Sequence, residues 1–239
     1  MSDRRTHRGA HPEDERLFSA AQIPRLREAV ADLCWLLGRG YNDRAALKLV
    51  GDRLALTARQ RLCVLRAACS DEARGRRLAR QVPPASLRGA APWIDGFNLL
   101  TTIEAALGGG VVLACRDGCY RDMASLHGSY RHVSETRPAI ALVGEELSAL
   151  GVGSCRWLLD SPVSNSGRLK GLLEEAAAQA GWDWEVVLAP DPDRQLMASS
   201  AAVVTADSAI LDRCQRWCSL ARHVVDRRAP AAWILDLCV

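Results

Sequence analysis

Trp93-Ile94-Asp95-Gly96-Phe97-Asn98-Leu99-Leu100 decides how this chain is read, because it joins an apolar strand, an acid at the strand's end and the start of a helical pattern within eight residues. Open α/β sheets carry their chemistry just beyond the carboxyl ends of their strands, so Asp95 stands where a reacting or metal-ligating group belongs. The rest of the sequence is then asked which side chains join it.

Two further segments end in the same way. Arg156-Trp157-Leu158-Leu159-Asp160 closes a β-type run with an acid, and Ala201-Ala202-Val203-Val204-Thr205 is followed at once by Ala206-Asp207, with Asp212 five residues later. In a parallel sheet these three strand ends share one edge, which brings acids distant in sequence together. Carboxylates crowded in a dry site repel one another unless a divalent cation compensates them, and Mg2+ or Mn2+ takes such oxygen ligands while activating water for attack on a phosphodiester. The competing explanation is that each Asp caps the helix that follows it. It accounts for any one of these acids and poorly for the set.

The segments between them alternate. Strand patterns at 111–115, 184–188 and 233–237 and helical patterns at 99–107, 138–150, 167–180 and 208–220 predict an α/β fold with a mostly parallel sheet covered by helices on both faces.

The beginning of the chain differs. A charged, poorly periodic arm over 1–22, expected to be mobile at its start, precedes a helix in which Leu26, Val30, Leu33 and Leu37 recur at helical spacing after Pro24. Asn42 or Asp43 can cap a second helix carrying Leu47, Val50 and Leu54, and Thr57 a third carrying Leu62, Leu65 and Cys69. The last two have the size of a helix-turn-helix unit. Residues 1–90 carry a net charge of +8 and residues 91–239 a net −5. Arg59, Arg66, Arg74, Arg76, Arg77 and Arg80 give the first part the footprint of a phosphate-backbone grip, against the plainer reading of a solvated helix face. Breaker-rich residues 82–92 mark the boundary, which divides the chain into a basic all-α domain over 1–88 and an α/β domain over 92–239.

Ile94-Asp95-Gly96-Phe97-Asn98-Leu99-Leu100 resembles the opening motif of PIN-like and NYN-type nucleases, and Val204-Thr205-Ala206-Asp207-Ser208-Ala209-Ile210-Leu211-Asp212 resembles their late motif. The chain as a whole is similar to a prokaryotic family of unknown function in which a helical N-terminal domain is fused to such a domain. The resemblance implies a three-layer α/β/α PIN-like fold over 92–239, with Asp95, Asn98, Asp207 and Asp212 as site residues. For the middle acid, Asp160, Glu104 and Asp122 all stay open. It implies a metal-dependent hydrolase of nucleic acid, RNA first, with Asp95, Asp160, Asp207 and Asp212 as ligands of Mg2+ or Mn2+. A degenerate site in a protein that binds nucleic acid without cutting it is the alternative.

Two segments suit substrate phosphate. Ser164, Asn165, Ser166, Arg168 and Lys170 follow Asp160 and open a helix whose free N–H groups would face the acids, or else form an ordinary cap with surface cations. Arg116 and Arg121 flank Asp117 after the strand at 111–115, as substrate contacts or as parts of a salt-bridged loop. Asp191-Pro192-Asp193-Arg194 carries the same ambiguity. Cys115/Cys119 and Cys214/Cys218 have a spacing unusual for structural zinc, so the cysteines read as reduced buried thiols. His127 and His132 come with no Gly-x-Ser-x-Gly elbow, which leaves serine hydrolysis unsupported. With no span-length apolar run and no signal-peptide core, the protein is expected in the cytoplasm with no membrane partner, and a homodimer is one allowed assembly.

Overall fold

The computed structural model of the protein describes residues 6–124 and 130–238. The chain opens with α1 (Asp14–Leu17), α2 (Ile23–Gly38), α3 (Asp43–Arg53), α4 (Ala58–Ala67) and α5 (Asp71–Arg80). Their starts follow local chemistry. The Asn42 side chain accepts from the N–H groups of Arg44 and Ala45, Thr57 and Gln60 form a reciprocal capping box, and Ser70 caps α5. The arginine run at 74–80 is therefore a helix of its own, with Ala73 and Arg77 facing inward. The N-terminal arm is fastened where it is described: Arg8 Nε donates to Glu104 Oε2 at 2.8 Å and the Arg8 N–H to Glu135 at 3.2 Å.

The remaining elements alternate between strand and helix except that β3 follows β2 directly: β1 (Trp93–Asp95), α6 (Gly96–Leu107), β2 (Val111–Ala114), β3 (Tyr120–Asp122), α7 (Thr136–Ala149), β4 (Ser154–Asp160), α8 (Ser166–Ala180), β5 (Asp183–Ala189), α9 (Pro192–Ala198), β6 (Val203–Val204), α10 (Ser208–Leu211), β7 (Trp217–Cys218), α11 (Leu220–Arg228) and β8 (Trp233–Asp236). Five of these strands form an all-parallel sheet in the order β5-β4-β1-β6-β7. Ile94 at its centre lies beside Trp157 of β4 and Val204 of β6. The chain runs outward from β1 through β4 to β5, then crosses back to β6 and β7, so the order reverses between β1 and β6. Such a reversal opens a crevice at the strands' carboxyl ends.

Two expectations are corrected. The strands at 111–115 and 233–237 leave the main sheet and join β3 in a second one, ordered β3-β2-β8, with β2 antiparallel to β3 and parallel to β8. The cause is the demand on both faces of β2. Val112 and Ala114 pack into the core around Ile94, whereas Val111 and Leu113 pack with Leu235 against Leu26, Leu33, Val50 and Val64 of the N-terminal helices. A strand buried on both faces reads as a continuous apolar run, which is why its sequence cannot reveal which sheet it joins.

The helix expected over 208–220 is also broken. α10 ends at Leu211, and the chain turns into edge strand β7 before α11 begins. Fully buried Trp217 drives the break: its indole N–H donates to the Arg77 carbonyl at 2.7 Å, and the Val82 N–H donates to its own carbonyl at 2.8 Å. Eight of the nine cysteines are buried, and Cys238 is exposed. No described helix is long and apolar enough to cross a membrane.

Candidate functional site

Asp95 ends β1 and caps α6. Its Oδ1 accepts from the Asn98 N–H at 3.4 Å, and its Oδ2 accepts from Thr205 Oγ1 at 2.8 Å. Asn98 Oδ1 in turn accepts from the Ala206 N–H at 2.8 Å, and Thr205 Oγ1 accepts from the Asp207 N–H at 3.0 Å. Asp207 caps α10, accepting from the Ala209 and Ile210 N–H groups at 2.8 and 3.2 Å. The ends of β1 and β6 are thus stitched together at the reversal of strand order, with two acids fixed beside each other by the backbone.

Their charges interact. Burial, followed by the negative charges of Asp207 and Asp193, raises the Asp95 carboxyl to about 7 against the pull of the Thr205 hydroxyl. Asp193, in the first turn of α9, is pushed up by burial and by Asp207, Asp191 and Asp160, and Asp160 is pushed up by burial and Asp191. One Asp160 oxygen is buried without a partner. Four acids from β1, β4, α9 and the β6–α10 turn therefore feel one another. They line a cleft of about 860 Å³ together with Leu37, Asp43 and Ser70, which give it a wall from the helical region.

A buried ion network joins the two walls. Asp117, in the β2–β3 turn, accepts from Arg77 at 2.7 Å and from Arg121 at 2.6 and 2.9 Å, and although burial works against it the two guanidiniums hold its carboxyl down at about 2. Arg77 also grips both oxygens of Asp212 at 2.8 Å, and Arg121 Nε donates to the Ala206 carbonyl at 2.7 Å. Ala206, whose N–H donates to the Asn98 side-chain oxygen, is thereby also held at its carbonyl by an arginine from the second sheet.

Asp95, Asn98, Asp160, Asp207 and Asp212 all line the cleft, but the Asp212 carboxylate is occupied by Arg77. Asp122 lines it too, accepting from Thr101 at 3.0 Å and from the Ala124 N–H at 2.6 Å. Glu104 sits elsewhere, fully buried among Arg8, Tyr130 and Thr136. Of residues 161–170, Val163 lines the cleft. Ser164 is exposed, Asn165 donates to the Tyr130 carbonyl at 2.9 Å, Ser166 is buried, Arg168 is exposed and Lys170 lies 3.5 Å from Glu174. Arg116 bonds Asp71 and the Cys69 carbonyl.

The arginines expected on a phosphate-binding face are mostly turned inward. Arg59 pairs with buried Asp14, Arg66 donates to the Asp122 and Ala124 carbonyls, Arg77 belongs to the ion network and Arg80 donates to the Asp212 carbonyl. Arg76 pairs with Glu72, and Arg74 is exposed. His127 lies outside the described residues. His132 has a partly buried ring whose Nε2 lacks a partner, and burial holds its pKa down.

Thr205 is a site residue to which the sequence assigns no role of its own, and Asp193 stands in a segment that the sequence leaves between a site contact and a salt-bridged loop. A signal for Asp193 was available, because Asp191 followed by proline at the first helical position marks a helix start, and Asp191 indeed accepts from the Arg194 N–H at 3.0 Å. Among the described residues, no three His, Cys, Asp or Glu side chains are grouped to hold a metal ion by themselves.

Comparison with known proteins adds relatives whose own descriptions carry no activity. Residues 25–80 match a protein family of unknown function, DUF434, and residues 84–223 match a domain of unknown function, DUF5616. "Uncharacterized protein MJ0935" of Methanocaldococcus jannaschii is 29% identical over 186 residues, which cover 78% of this chain and 88% of that protein. No solved structure matches. Since the second match spans more than half of the 239 residues, the chain belongs to the family described as Domain of unknown function (DUF5616).

Proposed function

We propose that the protein is a PIN-like nuclease, dependent on Mg2+ or Mn2+, that hydrolyses phosphodiester bonds and acts on RNA first. The observation that carries this reading is the Asp95 carboxyl raised to about 7 beside Asp207 and Asp193, at the switch point of a parallel sheet and facing an open cleft. Acids held in mutual repulsion, with Asp95 and Asp207 fixed in position by backbone or hydroxyl bonds, form a site suited to positive charge.

The donor set suits that component. Mg2+ is usually held by one or two carboxylates together with waters and substrate phosphate, rather than by an all-protein cage. A site without three grouped ligands therefore fits it. Asp95 and Asp207 would hold the ion, with Asp160 and Asp193 beside them. Bound there, a divalent cation would offset charge developing on the phosphodiester and make water a stronger nucleophile. The chain's own contribution is orientation. Thr205 fixes one oxygen of Asp95, Asn98 fixes the β6–α10 turn, and the Arg121 contact to Ala206 holds that turn from behind.

The second reading, a protein that binds nucleic acid without cutting it, is favoured by Asp212, whose two carboxylate oxygens are paired with Arg77. Incubation with end-labelled single-stranded RNA and Mn2+ separates the two. The nuclease reading requires fragments that vanish with EDTA, and intact RNA under both conditions supports the alternative.

A further inference from the structure

The inward-turned arginines leave open which surface meets the substrate, and three arginines outside the expected set answer it. Arg194, Arg213 and Arg216 are all exposed. Arg194 and Met197 stand three residues apart on α9 and so share one face of it. Arg213 reaches the same face, with Nη1 3.8 Å from Met197 Sδ, and Arg216 Nη2 donates to the Ser200 carbonyl at 3.2 Å just beyond the end of α9. Their contacts are with a thioether and a carbonyl, and none of the three has an ion-pair partner among the described residues.

The placement of this row relative to the acids gives it meaning. Asp193 immediately precedes Arg194, and Asp207 caps the short helix that leads to Arg213. Inside the cleft the arginines are neutralised: Arg77 and Arg121 by Asp117, and Arg66 lies 3.7 Å from Asp122. An acidic floor repels a polyanion, so a substrate must be held by charge next to that floor rather than within it.

We propose that Arg194, Arg213 and Arg216 form a ridge that takes the phosphate backbone of single-stranded RNA and presents one phosphate to the acids in the cleft. A single strand suits this path, because its backbone can bend from the ridge into the recess without a second strand to carry along. The proposal rests on the nuclease reading for its substrate, but it is tested by binding rather than by cleavage.

The test measures fluorescence anisotropy of a labelled single-stranded RNA oligonucleotide in EDTA across a series of KCl concentrations. The triple variant Arg194→Gln/Arg213→Gln/Arg216→Gln is compared with wild type and with Arg16→Gln/Arg44→Gln/Arg137→Gln, which removes the same charge elsewhere. The ridge variant should bind about tenfold more weakly or worse, with the slope of log affinity against log salt reduced by about 2, as expected for about three lost phosphate contacts on a single strand. The control should keep the wild-type slope, and unchanged circular dichroism should show all three proteins folded. Unchanged affinity and slope in the ridge variant overturns the proposal, as does an equal loss in the control or an absence of binding by wild type. The two readings fail separately. RNA bound through the ridge yet never cleaved with Mn2+ defeats the nuclease and leaves the ridge, whereas cleavage abolished by Asp95→Asn with normal binding by the ridge variant does the reverse.

Discussion

Thr205 Oγ1 donates to Asp95 Oδ2 across 2.8 Å, tying the end of β6 to the end of β1 where the strand order reverses. This bond orients a carboxylate that burial, and after it the neighbouring acids, destabilise. Orientation by a hydroxyl, set against repulsion by Asp207 and Asp193, marks a group kept for binding rather than for stability.

That repulsion has a pH signature. Burial and neighbouring charge raise Asp95 to about 7 in the folded protein, against about 4 in an unfolded chain. The folded state therefore holds this proton longer than the unfolded state, and its contribution to stability is present below pH 4 and lost as the pH rises towards 7. Asp95→Asn removes the titration. In EDTA, the variant should gain on wild type by up to about 3–4 kcal/mol between pH 4 and 7, measured by urea unfolding. A difference independent of pH contradicts this account.

Arg77 links the helical region to the acid edge through Asp117 and Asp212. Arg77→Met leaves Asp117 buried with Arg121 as its one remaining cation among the described residues and should cost about 3–5 kcal/mol in urea unfolding. Arg77→Lys should recover little of this, because a point charge cannot reproduce two paired contacts at 2.8 Å to Asp212.

Gly96 is required by close approach. A Cβ there would lie 2.6 Å from Leu159 Cδ2 and 3.2 Å from the Leu158 carbonyl oxygen, between β1 and β4. Gly96→Ala should destabilise the protein by about 1–3 kcal/mol, read as a lower urea midpoint, and displace Asp95 with it.

Leu113 stands where the second sheet meets the N-terminal helices. Leu113→Ala should cost about 2–5 kcal/mol and leave a single calorimetric transition, because the helices and β2 share one apolar cluster. Two separate transitions would show that the helical region melts independently.

Local signals carried most of the secondary structure. Asn42 and Thr57 announce helix starts, and Gly181, at φ +70°, announces a helix end. The acids at the ends of β1, β4 and β6 were legible because strand-end position is a local property. What one sequence does not carry is partner choice. Nothing local to Val111–Ala114 states that one of its faces belongs to α2 and α4. Nothing local to Arg59, Arg66 and Arg77 reveals the buried acids and carbonyls that absorb them, so a basic run looked like a binding face. Nothing local to Asp212 reveals its pairing either, since Arg77 lies 135 residues away in sequence.

The most direct test of the central claim is single-turnover cleavage of single-stranded RNA in Mn2+ by wild type, Asp95→Asn and Asp207→Asn, prepared side by side with their folding verified. The account predicts cleavage by wild type and a loss of at least about 100-fold in each variant. Equal rates in all three proteins, or no cleavage by wild type, would contradict it.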